Sequence, residues 1–150
     1  MKTSINGLNL IKLDEGCILH PYQKNGDVPT IGIGTTWYPG GRRVTMKDKP
    51  ITMEQALSYL QNVLTVFEPD VNHCIQSKIN QNQFDAIMDF TYQEGIGNFT
   101  GSNLLRVINK NPNDPQIKHE FLKWVYADGK INDGIVDRRN RDIALYFKPM

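Results

Sequence analysis

The chain has 150 residues, 39% of them hydrophobic and 22% charged, with a formal net charge of +1. That length fits one domain, or one core with a small lobe attached, and the composition excludes a disordered or fibrous chain. No apolar run approaches the roughly 20 residues of a membrane helix, so no stable membrane insertion is expected, and the near-zero charge argues against a nucleic-acid partner.

Ile5, Leu8 and Ile11 fall on one helical stripe, Leu10 and Leu13 widen it, and Gly16 is a natural stop. Glu15 then lies in the last turn of a short first helix. From about Thr30 the residues alternate through Thr-Ile-Gly-Ile-Gly-Thr-Thr-Trp-Tyr, and Gly40-Gly41 offers a hairpin turn before Arg42–Met46. This predicts a small antiparallel sheet with Gly32 and Gly34 on one face, where a helix or a ligand approaches closely. Thr52 with Gln55 predicts a capping box, followed by a stripe of Ala56, Leu60, Leu64 and Phe67 that Pro69 ends. Asn80 with Gln83 caps the next helix, which Gly95 and Gly97 break. Ser102 caps a third helix, and Asp114-Pro115 opens a fourth, with Trp124 on its apolar stripe as a core residue. A last helix spans about 135–147. The pattern predicts one α+β domain over 1–150: a small β-hairpin lobe at about 16–50, a mostly helical lobe, and a cleft between them.

A carboxylate at a helix C-terminus faces the negative end of the macrodipole, which favours its protonated form and suits general acid work. The plain alternative for Glu15 is a solvated surface charge. His20, His73 and His119 lack metal-ligand spacing, so neither a metal nor another cofactor is expected. Cys17 and Cys74 read as buried thiols rather than a disulfide. The opening MKTSINGLNLIKLDEG lacks the long apolar core of a secretion signal.

Glu15, Gly16, Leu19 and Tyr22 form E-G-x-x-L-x-x-Y, and Thr30, Ile31, Gly32, Gly34 and Thr36 form T-I-G-x-G-x-T. With INQNQFDAIMDFTYQEGIGNF at 79–99, TGSNLLRVIN at 100–109, KWVYADGK, and GIVDRRNRD ending at 142, these motifs resemble the phage-type lysozymes, the endolysins of glycoside hydrolase family 24. The resemblance implies a lysozyme-like fold. It also implies hydrolysis of the β-1,4 bond between N-acetylmuramic acid and N-acetylglucosamine in peptidoglycan. Glu15 would be the acid and Thr30 would hold the attacking water. Tyr22, Tyr92 and Ser102 would line the sugar cleft, although Ser102 also suits a helix cap. Arg139 would lie near Glu15; its alternative is a basic surface face shared with Arg141. The family further implies a monomer acting on glycan strands during host lysis. It would accumulate in the host cytoplasm and reach the wall through a separate membrane pore.

The family usually has an Asp two residues after the Tyr; here Lys24 stands there. An ammonium cannot accept a proton from water. Three readings stay open. Asp27, from the Asn25-Gly26-Asp27 turn, supplies the carboxylate; or Glu15 works alone as a lytic transglycosylase, with the sugar's 6-hydroxyl attacking; or the chain is an inactive wall-binding module.

Overall fold

The structure, a computed structural model, describes all 150 residues. Helix α1 (Ile5–Glu15) begins where the Ser4 hydroxyl accepts from the Asn6 N–H. Gly16, at φ 78°, closes it with a bond from its N–H to the Lys12 carbonyl. Only glycine takes that angle without strain, so the chain leaves the helix directly after Glu15. Part of the expected stripe is buried: Leu8 and Ile11 face the core, whereas Ile5 and Leu13 are 58% and 66% exposed.

Strands β1 (Ile18–Tyr22) and β2 (Thr30–Gly32) pair antiparallel, with Ile18 opposite Gly32 and Tyr22 opposite Thr30. The chemistry of β1 hides it, because His20-Pro21 interrupts any apolar alternation. β2 is shorter than the alternation predicts. Gly32 and Gly34 take φ angles of 65° and 72°, and Ile31 bonds Thr35 across the tight turn they form. The glycines therefore make a turn rather than a strand face. Gly32 also lets a helix come close: a Cβ there would meet Ala56 Cβ and Ile51 Cδ1 at 3.2 Å each. The Gly40-Gly41 turn forms, but only the bridge between Trp37 and Arg43 spans it. Asp48 holds that segment instead, accepting from the Thr45 N–H, the Tyr38 hydroxyl and Arg42. Those bonds keep its carboxyl well below the usual range.

Helix α2 (Met53–Cys74) starts on the Thr52–Gln55 capping box, as predicted, yet it runs through Pro69. Proline removes one bond, the one to the Thr65 carbonyl. Side chains anchor the helix on both sides of Pro69: Glu68 accepts from the Thr3 N–H and hydroxyl at 2.8 and 2.9 Å, and Val71 is buried. Helix α3 (Gln81–Glu94) begins on the Asn80–Gln83 capping box and is buried from Asn82 to Thr91. A helix enclosed on every side is the axis of its lobe, and α1 and α7 pack against it.

Gly95, at φ 89°, separates α3 from α4 (Ile96–Thr100). Ser102 caps α5 (Asn103–Lys110). Asp114-Pro115 makes a turn rather than a helix start: the Asp114 carboxylate accepts from the Gln116 N–H at 2.8 Å, and α6 spans Ile117–Leu122. A small hairpin, β3 (Tyr126–Ala127) and β4 (Lys130–Ile131), turns on Asp128-Gly129, a pair suited to positive φ. Helix α7 (Asp133–Tyr146) starts on the Asn132 side chain. At the core, Phe90 meets Phe121 and Trp124 edge to face, with ring centroids 5.7 and 5.5 Å away. Trp124 lies past the end of α6 rather than on its stripe, and its half-buried ring packs against the core. Cys17 and Cys74 are half-buried and unpaired. The fold is α+β: two small antiparallel hairpins set on a mostly helical body.

Candidate active site

Glu15 ends α1 and so stands where the helical body gives way to the β1–β2 hairpin. Its side chain is 30% exposed. Oε1 accepts from Arg138 Nη1 at 2.7 Å, and no protein group bonds Oε2. Tyr22 from β1 and Tyr92 from α3 share this space. Burial pushes both phenols up, and the Glu15 charge adds to the effect in each. Thr30 lies across the ladder from Tyr22. Its hydroxyl donates to the Val28 carbonyl at 3.0 Å, which leaves oxygen lone pairs to accept from water. Gly34 brings its turn over Tyr92, whose hydroxyl lies 3.6 Å from the place a Cβ would occupy.

Lys24 and Asp27 sit on the exposed loop between the strands. The Asp27 N–H bonds the Lys24 carbonyl at 2.9 Å, and Gln23 Nε2 bonds the Asp27 carbonyl at 2.7 Å. The turn therefore forms, and both charged side chains are left without a protein partner. Ser102 is 4% exposed; its hydroxyl donates to the Phe99 carbonyl and accepts from the Leu105 N–H. The cap therefore uses the hydroxyl that the resemblance would place on sugar.

The arginine against Glu15 is Arg138, not Arg139. Successive helical residues point about 100° apart, so one position of register turns Arg139 away from α1. Arg139 is fully buried over the Phe90 ring, 3.0 Å from Asp142 and 3.8 Å from Glu94, with a further bond to Gln93. Arg138 is shared: Nε and Nη2 donate to Asp89 at 3.0 and 2.8 Å while Nη1 serves Glu15. Arg141, one turn on, donates to Asp14 at 2.7 Å. Burial, then the nearby Asp89 charge, pushes Asp14 up against the pull of both arginines. The i, i+3 spacing of Arg138 and Arg141 was a readable sign that they share a face. Nothing in the sequence paired Asp89 with them.

The larger hollow in the surface, about 630 Å³, lies elsewhere, between the 38–51 segment and the start of α2, and Glu15 does not line it. Glu15 thus belongs to the junction itself rather than to an enclosed pocket.

Burial, then Asp89, pushes the Asp142 carboxyl well above its ordinary value of 3.8, and Arg139 only partly opposes this. An acid that holds its proton more tightly when folded makes the folded state richer in protons. Stability then falls as the pH rises above 3.8 towards the folded value. Asp142→Asn, which keeps the neutral shape, is expected to flatten the decline in Tm as the pH is raised above the ordinary value of 3.8. An unchanged slope would place the proton elsewhere.

A helical body carrying a hairpin, with an acid at their junction, is the arrangement of a lysozyme fold. The crystal structure of a P22 lysozyme mutant superposes with a TM-score of 0.88 at 33% identity, covering 99% of each chain. A family model described as phage lysozyme matches residues 12–142, and the chain belongs to that family. It is 34% identical over 147 residues to the endolysin of Salmonella phage P22, spanning 98% of this chain and 99% of that protein. It is also 34% identical over 146 residues to the endolysin of Bacillus phage PZA, of which it spans 55%.

Proposed function

We propose that the chain is a muramidase that cleaves the β-1,4 bond between N-acetylmuramic acid and N-acetylglucosamine in peptidoglycan, acting as an endolysin in host lysis. One observation carries this reading: Glu15 projects from the end of α1 with one oxygen on Arg138 and the other unbonded. Protonated at Oε2, it can donate to the glycosidic oxygen as the C1–O bond breaks. Arg138 then stabilises the carboxylate left behind. Thr30 is free to accept a hydrogen bond from water, and Tyr22 and Tyr92 offer ring surface to sugar beside the acid.

Water must lose a proton as it attacks C1. Lys24 cannot take it. Asp27 can, because its carboxylate is exposed and unpartnered in the same loop. Two carboxyls about 6.5–9.5 Å apart leave room for a water and invert the anomeric centre. The second reading, a lytic transglycosylase, is favoured by the lysine at the family's usual Asp position. There the sugar's own 6-hydroxyl attacks C1, its proton leaves to solvent, and a 1,6-anhydro ring forms.

Mass spectrometry of products from purified wall separates the readings. Hydrolysis adds one water and leaves a reducing end; the transglycosylase product lacks that water. The absence of any soluble product would leave a wall-binding module. Asp27→Asn is expected to lower hydrolysis about 10²–10⁴-fold, the usual worth of a positioned base. Lys24→Asp is expected to raise it. Full activity in Asp27→Asn would return Asp27 to its turn role. No helix here is long and apolar enough to cross a membrane. In keeping with the endolysin reading, the wall is the site of action, and passage through a separate membrane pore is the route that reading implies.

A further inference from the structure

Arg138 poses an electrostatic problem for an acid. A guanidinium donates to Oε1 at 2.7 Å, and Glu15 must hold a proton when substrate is bound. The geometry around Arg138 offers an answer. Asp89, fully buried on α3, takes Nε and Nη2 in a two-pronged contact at 3.0 and 2.8 Å. Only Nη1 is left for Glu15. Such a fork fixes the plane and direction of the guanidinium as well as balancing its charge.

We propose that Asp89 is a positioning residue for catalysis: it holds Arg138 so that a single N–H reaches Glu15, and it offsets the guanidinium charge so that Glu15 can carry its proton. This rests on the muramidase reading. Other charged and titratable groups facing the acid are Tyr22 from β1, Tyr92 from α3, and Asp14 beside it on α1. Asp14 is bonded by Arg141 and also lies 3.7 Å from Arg138 Nε, longer than either Asp89 contact. The remaining neighbour of Asp89 is Asp142, itself paired with Arg139 at 3.0 Å. Asp89 is thus the acid whose fork is spent on Arg138. It is fully buried and bonded to Arg138, so its effect on turnover passes through the guanidinium.

The test is the pH–rate profile of wall digestion. Asp89→Asn keeps the shape and removes the charge, so Arg138 is left with Glu15 at 2.7 Å and the more distant Asp14 at 3.7 Å. The alkaline limb, where the acid loses its proton, is expected to move towards acid by about one pH unit, the lower end of what one nearby charge does. Asp89→Glu, which restores the charge, is expected to return the limb to its place even if the rate stays low. Glu68→Gln is the control for a merely structural lesion. It alters a buried acid bonded to Thr3, and it is expected to lower Tm without moving the limb. Should Asp89→Asn fail to fold, Arg138→Lys replaces it. An ammonium held by Asp89 cannot also extend a second arm to Glu15 as Nη1 does, so the limb is expected to move the other way, to higher pH. An unmoved limb in a folded, active Asp89→Asn or Arg138→Lys protein would overturn the inference. A failure of the unaltered chain to release muropeptides would instead overturn the muramidase reading.

Discussion

Glu15→Gln is expected to lower the release of soluble muropeptides by about 10²–10⁴-fold or more, the usual contribution of a placed proton donor. The amide keeps the size of the carboxyl and can still accept from Arg138 at the Oε1 position, but it has no proton to give. The side chain is 30% exposed and ends its helix, so the fold should hardly notice the change. Sedimentation with purified wall should persist while product disappears. The loss applies to hydrolase and transglycosylase alike, because both need the leaving oxygen protonated. A variant that digests wall at the normal rate would remove Glu15 from the mechanism.

The second large effect is on stability. Arg138→Met is expected to cost about 3–5 kcal/mol, since removing one partner of a buried pair strands the other. Asp89 is fully buried, and its Arg138 bonds are its hydrogen bonds to a cation. Methionine fills part of the volume but satisfies neither oxygen. Denaturant unfolding at neutral pH reads this cost directly. The deficit should narrow as the pH is lowered and the stranded carboxylate takes a proton. A loss below about 1 kcal/mol, the level of an exposed pair, would mean that water reaches Asp89 when the arginine is gone.

Several elements were legible because their information is local. Thr52 with Gln55 and Asn80 with Gln83 bond the backbone beside them, and each capping box forms as the spacing predicts. Gly16 places Glu15 at a helix end through its own φ angle. Pro69 misled for the opposite reason. Its local cost is one hydrogen bond, and the Glu68–Thr3 contact before it and buried Val71 after it anchor the helix. Strand β1 was missed because His20-Pro21 breaks the alternation, while pairing with β2 orders it all the same. Asp128-Gly129 is a local turn signal for the β3–β4 hairpin, whose strands of two residues each are too short to show an alternation.

The sequence by itself determined the family, the acid at the end of α1, and the unusual lysine at position 24, since motif order and cap chemistry lie within short stretches of chain. Tertiary structure alone decided which arginine meets that acid. Residues 89 and 138 are joined only because α3 is enclosed by α1 and α7, and one step of helical register separates Arg138, at the site, from Arg139, in the core. Register of that kind depends on how buried helices pack, and no pattern along a single chain encodes it.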